Sequence, residues 1–434
     1  DDGSYEQNPA TIVFARGRAP LGADNTLRGG DHVTGITGVL TQTTASGADG
    51  GSAYRLRPVN ALNGGVPDFV AASPRDARPP DVGGTLRVAS FNVLNYFNTF
   101  DGCTLGTGGA ATSCRGADDA VEFDRQWRKI VAAVIAMDTD ILGIIEIEND
   151  GYHARSAIAD LVSRLNSATA AGRYMFINSD SATGDANVLG TDAIKVGLIY
   201  RRDRVSPAGR TAVLNSSMFV NGGESQPRNR PSLAQAFVQP DGGSVIVSVH
   251  HFKSKGSACD APDAGDGQGN CNTARTVAAR ELLTWLDTDP TGTGDPNVLI
   301  IGDLNAYARE DPVAVLVRGG YTDLLAGRAA ESPAEPASSD VPIGERSGTA
   351  GYSFVFNGQW GYLDHALAST ALLPQVTGAV AWHINADEPN VLDYNTNFKT
   401  AAQLSTLYDD GPFRSSDHDP VIVGLRLATR GDTR

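Results

Sequence analysis

The chain changes its hydrophobic rhythm near residue 85. Before that point, short alternating runs such as His32-Val33-Thr34-Gly35-Ile36-Thr37-Gly38-Val39-Leu40 sit among Thr and Gly, which is a strand signature. Residues 1–75 therefore read as a small all-β domain, a barrel or sandwich fragment. The stretch Ala71-Ala72-Ser73-Pro74-Arg75-Asp76-Ala77-Arg78-Pro79-Pro80 has adjacent prolines and no apolar period, so residues 76–84 are assigned to a linker. Beyond it, Leu86-Arg87-Val88-Ala89-Ser90-Phe91-Asn92-Val93 reads as a strand. A helix is expected over Glu122–Met137, with Trp127, Ile130, Val131, Val134 and Ile135 on one face. The run Asp140-Ile141-Leu142-Gly143-Ile144-Ile145-Glu146 is nearly all apolar, as a buried central strand should be. A second amphipathic helix carries Ile158, Leu161, Val162 and Leu165. Further strands are expected at Lys195–Tyr200, Leu233–Val238, Ser244–His251, Val298–Asp303, Tyr352–Phe356, Leu363–Leu367 and Val421–Leu427, with a helix at Thr273–Leu286 between two of them. Strands and helices mixed in this way, with several strands joined directly, predict an α/β fold: a two-sheet β-sandwich flanked by helices over residues 85–428.

Several of these apolar strands end in polar residues. Asn92 and Glu146 close the first two. Asp303 and Asn305 follow Val298-Leu299-Ile300-Ile301-Gly302, His251 ends Val245-Ile246-Val247-Ser248-Val249, and Asp417-His418 precede the last strand. One buried polar residue is ordinarily a hydrogen-bonded structural group. A set of carboxylates, amides and imidazoles at strand ends points instead to one shared edge. The oxygens of Glu146, Asn92 and Asp303 suit Mg²⁺, Mn²⁺ or Ca²⁺ better than zinc. His251 and His418 are placed to touch phosphate oxygens or exchange a proton, and Asp364 to orient an imidazole. Glu148 lies two residues past Glu146 and is a further ligand candidate. His250 and His251 point to opposite sides of their strand, so only one faces the site; the following Phe-Lys-Ser-Lys favours His251. Asp192, ahead of the strand Lys195–Tyr200, is a candidate to orient it.

The 434 residues carry a net charge of −15, which counts against a tight, non-catalytic DNA-binding module but not against an enzyme with local metal and arginine. The 49 glycines and 22 prolines imply many loops. No run of eighteen apolar residues occurs, which excludes a transmembrane helix, and a signal peptide, if there was one, is expected to have been removed. The four cysteines fall into two close pairs, Cys103 with Cys114 and Cys259 with Cys271, in loops rich in Gly, Asp, Ser and Thr. Their spacing is too wide for a zinc motif. Disulfides are expected, and with them a secreted, extracellular location.

Ser90-Phe91-Asn92-Val93-Leu94-Asn95, Ile145-Glu146, His251-Phe252-Lys253-Ser254-Lys255, Gly302-Asp303-Leu304-Asn305-Ala306, Tyr362-Leu363-Asp364-His365 and Ser416-Asp417-His418-Asp419-Pro420-Val421 together resemble the endonuclease/exonuclease/phosphatase superfamily, in that superfamily's order. The nearest resemblance is to large secreted bacterial nucleases of a DNase I-like branch, whose catalytic domain follows an OB-type domain. The resemblance implies metal ligands at Asn92 and Glu146 with Asp417 close by, and Asp303 holding or deprotonating the attacking water. It implies phosphate binding by Asn305, a His418 oriented by Asp364, and His251 as second imidazole. Arg230 and Arg414, with Asn95 and Tyr352, are candidates to bind substrate phosphate, as are Lys253 and Lys255. Mg²⁺ or Mn²⁺ is the expected cofactor, with Ca²⁺ as the alternative, and Asp417, Asp303 and Asn305 leave room for a second ion. The expected partner is DNA, with RNA as the alternative, and no stable protein partner and no membrane. A phospholipid-cleaving, sphingomyelinase-like enzyme and a non-catalytic secreted binding module are the alternatives.

Overall fold

The computed structural model describes residues 11–44, 52–59, 64–72, 74–326, 351–356 and 358–429. Two six-stranded mixed sheets pack face to face. The first runs in the order Val376–Ala381, Val421–Leu425, Leu86–Tyr96, Ile141–Glu148, Ile194–Arg201 and Tyr174–Phe176. The second runs Tyr321–Asp323, Asp364–Ser369, Val298–Asp303, Ser244–His251, Ser232–Val238 and Ser206–Leu214. Each is built on the same plan. A central parallel pair, Leu86–Tyr96 with Ile141–Glu148 or Ser244–His251 with Val298–Asp303, is joined through a helix and flanked by antiparallel neighbours.

The joining helices cover the outer faces because their sequences carry an apolar stripe. Helix Ala120–Met137 starts where the Asp119 side chain accepts from the amides of Val121 and Glu122, and stops at Asp138, which turns left-handed at φ 48°. It buries Ile130, Val131, Val134 and Met137 against Ala89, Phe91 and Ile144 of the first sheet. Helix Asn272–Leu286 sets Ala278, Ala279 and Leu282 over Ile246 and Ile300 of the second.

Between the sheets the alternation of side chains is strict. Leu86 and Val88, Val245, Val247 and Val249, Leu299 and Ile301, Ala366 and Ala368, and Val421, Val423 and Leu425 all point inward. Each buried aliphatic side chain contributes about 1.5–3 kcal/mol, so a one-residue slip of any strand is heavily disfavoured. That parity also decides which polar residues arrive at the strand ends. Asn92, His251, Asp303 and Asp364 continue the inward rows, and His250 and His365 continue the outward ones. The sheets approach closely at Gly143, where a β-carbon would come within 2.6 Å of the Ile301 side chain.

Several boundaries differ from expectation. The first strand continues to Tyr96, the segment at Tyr352 becomes a strand only at Phe354–Phe356, and the last strand stops at Leu425. Both cysteine pairs are bonded, Cys103–Cys114 and Cys259–Cys271, and no helix among the described residues is long and apolar enough to cross a membrane.

The described part of the N-terminal region holds two two-stranded ribbons, Gly38–Thr44 with Ser52–Pro58 and His32–Val33 with Phe69–Val70. Among the described residues these ribbons are separate two-stranded sheets and do not close into a barrel. Side chains of the region make contacts with the later part of the chain. Arg28 is buried and donates to Asp387 at 2.8 Å and to the His383 carbonyl at 2.6 Å, and Arg75 pairs with Glu388 at 2.9 Å. Ala15 and Leu21 pack with Leu392 and Leu407 of the sandwich.

Candidate active site

The inward rows end together at one edge of the sandwich. In the second sheet Asp303 lies between His251 and Asp364 in direct cross-strand register. From the first sheet, Asn92 presents its amide nitrogen 3.5 Å from Asp303 Oδ2. His418, in the loop ahead of Val421–Leu425, brings its Nε2 to within 3.9 Å of the same oxygen. Glu146 stands 3.8 Å from His251 Nε2.

Glu146 reaches the site through a break in the strand. Ile144 and Ile147 both pack on the outer core and Ile145 on the inner one, which strict alternation forbids. The pairing with the neighbouring strand shifts between these residues, and Glu146 takes a left-handed φ of 65°. Such a bulge re-aims a side chain, here toward the site. Its consequence corrects the expectation for Glu148. That carboxylate turns away from the edge and accepts from the amides of Asn98 and Thr99 at 3.1 and 3.3 Å, holding the Cys103 loop. It is no ligand for an ion beside Glu146. Asn305 is also left-handed, at φ 47°; its amide nitrogen donates to Asp303 Oδ1 at 2.8 Å and its side chain to the Phe252 carbonyl at 3.1 Å. Two non-glycine residues held in this conformation mark a site where geometry outweighs backbone comfort.

The imidazoles are held in opposite states. His418 Nδ1 meets Asp364 Oδ2 at 2.7 Å, and Ser353 Oγ donates to the same oxygen at 2.6 Å. Burial works against charging His418, but Asp364, Asp417 and Asp303 outweigh it and hold the ring well above the ordinary histidine range. His251 is held well below that range, by burial first and then by the positive charges of Arg230 and His418. Arg230 donates toward His251 Nε2 at 3.2 Å while its Nε is gripped by Asp192 at 2.8 Å. Asp192, expected from sequence to orient His251, therefore does not touch it; Arg230 stands between them. Arg115, next to Cys114, reaches the other oxygen of Asp192 at 3.4 Å. His250 faces the opposite side and pairs with Ser232 at 2.7 Å.

Two carboxylates respond to the crowding. Asp303 is lifted above the usual range by burial and by Asp364, and Glu146 by burial and by Asp417. Asp417 is half-buried and lies close to Asn92 through Ser416, whose hydroxyl donates to the Asn92 carbonyl at 2.7 Å and stands 3.3 Å from Asp417 Oδ1.

The outer candidates are only partly brought in. Lys253 contacts Ser257 Oγ at 2.8 Å and Lys255 pairs with Glu310, both in the loop that follows His251. Asn95 sits half-buried in the bulged end of its strand at φ 52°. Arg414 does not reach outward: it is buried, and its guanidinium is committed to the Asn385 carbonyl and to Asn390 Oδ1, both at 2.7 Å. Tyr352 donates to Asp387 at 3.0 Å and stacks on His383 at 3.6 Å. Both side chains make these contacts within the segment that runs from His383 to Asn390. Ser353 and Ser416 were missed; a serine beside a motif carries no sequence signal of its own.

Asp303, Asp364 and His418 place one ligand atom each within 4.8 Å of one another. The short His418–Asp364 bond occupies that trio as a hydrogen-bonded pair. The oxygen donors of Glu146, Asn92 and Asp417 are the better match to a hard divalent ion.

Residues 89–418 match the endonuclease/exonuclease/phosphatase family. The chain belongs to it. Members of this family are hydrolases of phosphodiester or phosphate bonds and depend on divalent metal, and Glu146, Asn92 and Asp417 offer the oxygen donors that such an ion takes. By sequence, no curated protein matches it. Solved structures are similar to it at low identity. The human Nocturnin catalytic domain is 15% identical with a TM-score of 0.45, over 79% of this chain and 94% of that one. A mannosyl-6-phosphatase of Bacteroides thetaiotaomicron is 16% identical with a TM-score of 0.46, over 79% and 100%. D. rerio TDP2 in complex with a single-stranded DNA product is 15% identical with a TM-score of 0.42, over 78% and 97%.

Proposed function

We propose that this family member is a secreted, divalent-metal-dependent nuclease that hydrolyses the phosphodiester bonds of DNA by water attack on the backbone phosphate. The observation that supports it most is the pair of unlike imidazoles about one buried carboxylate. Attack on a phosphodiester moves negative charge onto the non-bridging oxygens and the leaving oxygen, and fixed positive groups aimed there lower the barrier. His418, kept cationic by Asp364, is the donor to those oxygens or to the leaving group. Asp303, buried between both rings, orients the water and takes its proton. The free N–H of the Asn305 amide and the Arg230 guanidinium bind non-bridging oxygens. His251, neutral and accepting from Arg230, fixes that guanidinium at the site. Glu146 and Asn92, with Asp417, would hold a Mg²⁺ or Mn²⁺ ion, which supplies charge neutralisation at the phosphate when bound. Secretion is supported by the two disulfides.

The test is digestion of supercoiled plasmid with Mg²⁺, Mn²⁺, Ca²⁺ or EDTA, beside His418→Ala. Metal-dependent nicking that the variant loses is the expected result. Intact plasmid under every metal, with sphingomyelin cleaved instead, sinks the nuclease reading in favour of a lipid phosphodiesterase.

A further inference from the structure

A row of aromatic rings leads out from the site, and nothing in the chemistry above uses it. Phe354 packs its ring on His418 at 4.6 Å between centroids, and Phe356 continues outward, nearly parallel to Phe354 (11°) at 6.3 Å. Both stand on one face of the antiparallel ribbon Phe354–Phe356 with Gln359–Gly361. Phe356 is 52% exposed, and Trp360, on the other face, is 46% exposed.

The ribbon is fixed at its base. Tyr352 meets Trp360 edge-on at 4.6 Å and lies flat on His383, whose Nδ1 pairs with Asp419 at 2.9 Å. Gly29 lets the Trp360 ring press onto the backbone, since a β-carbon there would fall 1.6 Å from it, and Gly361 does the same for Tyr307. The anchored ribbon thus presents the Phe356 ring to solvent, open to contact, beside a polar site.

Charge indicates what that contact is. A net charge of −15 gives a polyanion no long-range attraction. The cations nearest the site are largely paired already, Arg230 with Asp192 and Lys255 with Glu310. Neutral stacking supplies affinity without counterion release, and every nucleobase has a π-face to offer.

Building on the nuclease reading, we propose that Phe354 and Phe356 form a stacking track for an unpaired nucleobase flanking the scissile phosphate, so that single-stranded or locally opened DNA is the preferred substrate. In a duplex those faces are engaged by neighbouring bases, and unstacking must precede binding.

The experiment crosses a protein change with a substrate change. Phe356→Ala is compared with wild type on a short single-stranded oligonucleotide, with Mg²⁺, and on the same strand carrying abasic positions placed in turn on either side of each cleaved bond. Phe356→Ala should lower kcat/KM on the intact strand by about 10-fold, mostly through KM. One flanking abasic position should cost wild type a similar factor and cost the variant almost nothing. Phe356→Trp should restore wild-type behaviour, which a general loss of folding would not allow. Losses that multiply independently, or a Phe356→Ala protein as active as wild type, overturn the stacking track alone. A wild-type protein that leaves every oligonucleotide intact overturns the nuclease reading and this inference with it.

Discussion

His418 and His251 approach the same carboxylate, Asp303, at 3.9 and 3.7 Å, one from each sheet, yet they are supported in different ways. His418 rests directly on Asp364, an inward residue of the facing sheet, with Ser353 fixing the shared oxygen. His251 meets a cation first, and its carboxylate, Asp192, lies one residue further out, gripped in turn by Arg115 of the disulfide loop. The direct contact favours an imidazolium and the indirect one a neutral ring. Two histidines at a single edge are thus held in different states by what stands behind each, and under the proposed reading one serves as donor and the other as acceptor.

The largest effects are expected on the His418 side. His418→Ala should reduce plasmid cleavage by about 10²–10⁴-fold, with a thermal transition that is lowered by the loss of the buried pair but still cooperative showing that the fold survives. Asp364→Asn should follow it closely, because the amide can keep the contact but cannot hold the ring charged. Should Asp364→Asn retain nearly full turnover, the direct pairing is not what tunes His418, and the contrast between the rings fails.

A second comparison lies within one strand. Glu146→Gln should cost about 10²-fold in turnover at fixed Mg²⁺ and raise the metal concentration needed for half activity. Glu148→Gln, two residues away, should leave turnover and metal requirement within about threefold and lower stability by about 1 kcal/mol, read from urea unfolding. Equal losses of activity would mean that the bulge does not separate the two carboxylates as their contacts indicate.

How much of this was legible in the sequence depends on parity. The inward rows of Val, Ile and Leu can be followed by eye from Val245 to His251 and from Leu299 to Asp303, so the convergence of Asn92, His251, Asp303 and Asp364 was open to a reader of the chain. The choice of His251 over His250 follows from the same count. Parity fails at Glu146 and Glu148, where the bulge inserts a left-handed residue that no local signal in Ile-Ile-Glu-Ile-Glu announces. It says nothing about arginines either: Arg414 looked available because it precedes Asp417, but its contacts are with Asn385 and Asn390, set by the packing of a distant loop. The strand Ser206–Leu214 was missed because it begins Ser-Pro-Ala-Gly, a composition tolerated only at a sheet edge. The N-terminal ribbons show the reverse case, strands plain in the pattern whose tertiary arrangement no period encodes.

The His251 side carries the smaller effects. Asp192→Asn should lower kcat/KM by about 10-fold, near the worth of one charge-assisted hydrogen bond, with most of the change in KM. Arg230→Ala should cost more, and adding Asp192→Asn to it should cost little further, since Asp192 acts only through that guanidinium. Two independent losses in the double variant would give Asp192 a separate task at the substrate.

The weakest effect is expected furthest from the reacting atoms, where Arg115 joins Asp192 to the Cys103–Cys114 loop. Arg115 is partly exposed, its contact with Asp192 is 3.4 Å long, and ion pairs of that kind are worth about 0–1 kcal/mol. Replacing both Cys103 and Cys114 by serine, with Cys259–Cys271 intact, should therefore reduce kcat/KM on DNA only about two- to fivefold at 25 °C, an effect of the same ion-pair size. The same change should lower the unfolding free energy by about 3 kcal/mol. Arg115→Ala should reproduce the kinetic loss without the loss of stability. If the serine variant instead loses as much activity as Arg230→Ala while still folded, the loop holds the guanidinium more firmly than its distances imply. The two histidines would then differ less in their support than the contrast between direct and indirect pairing requires.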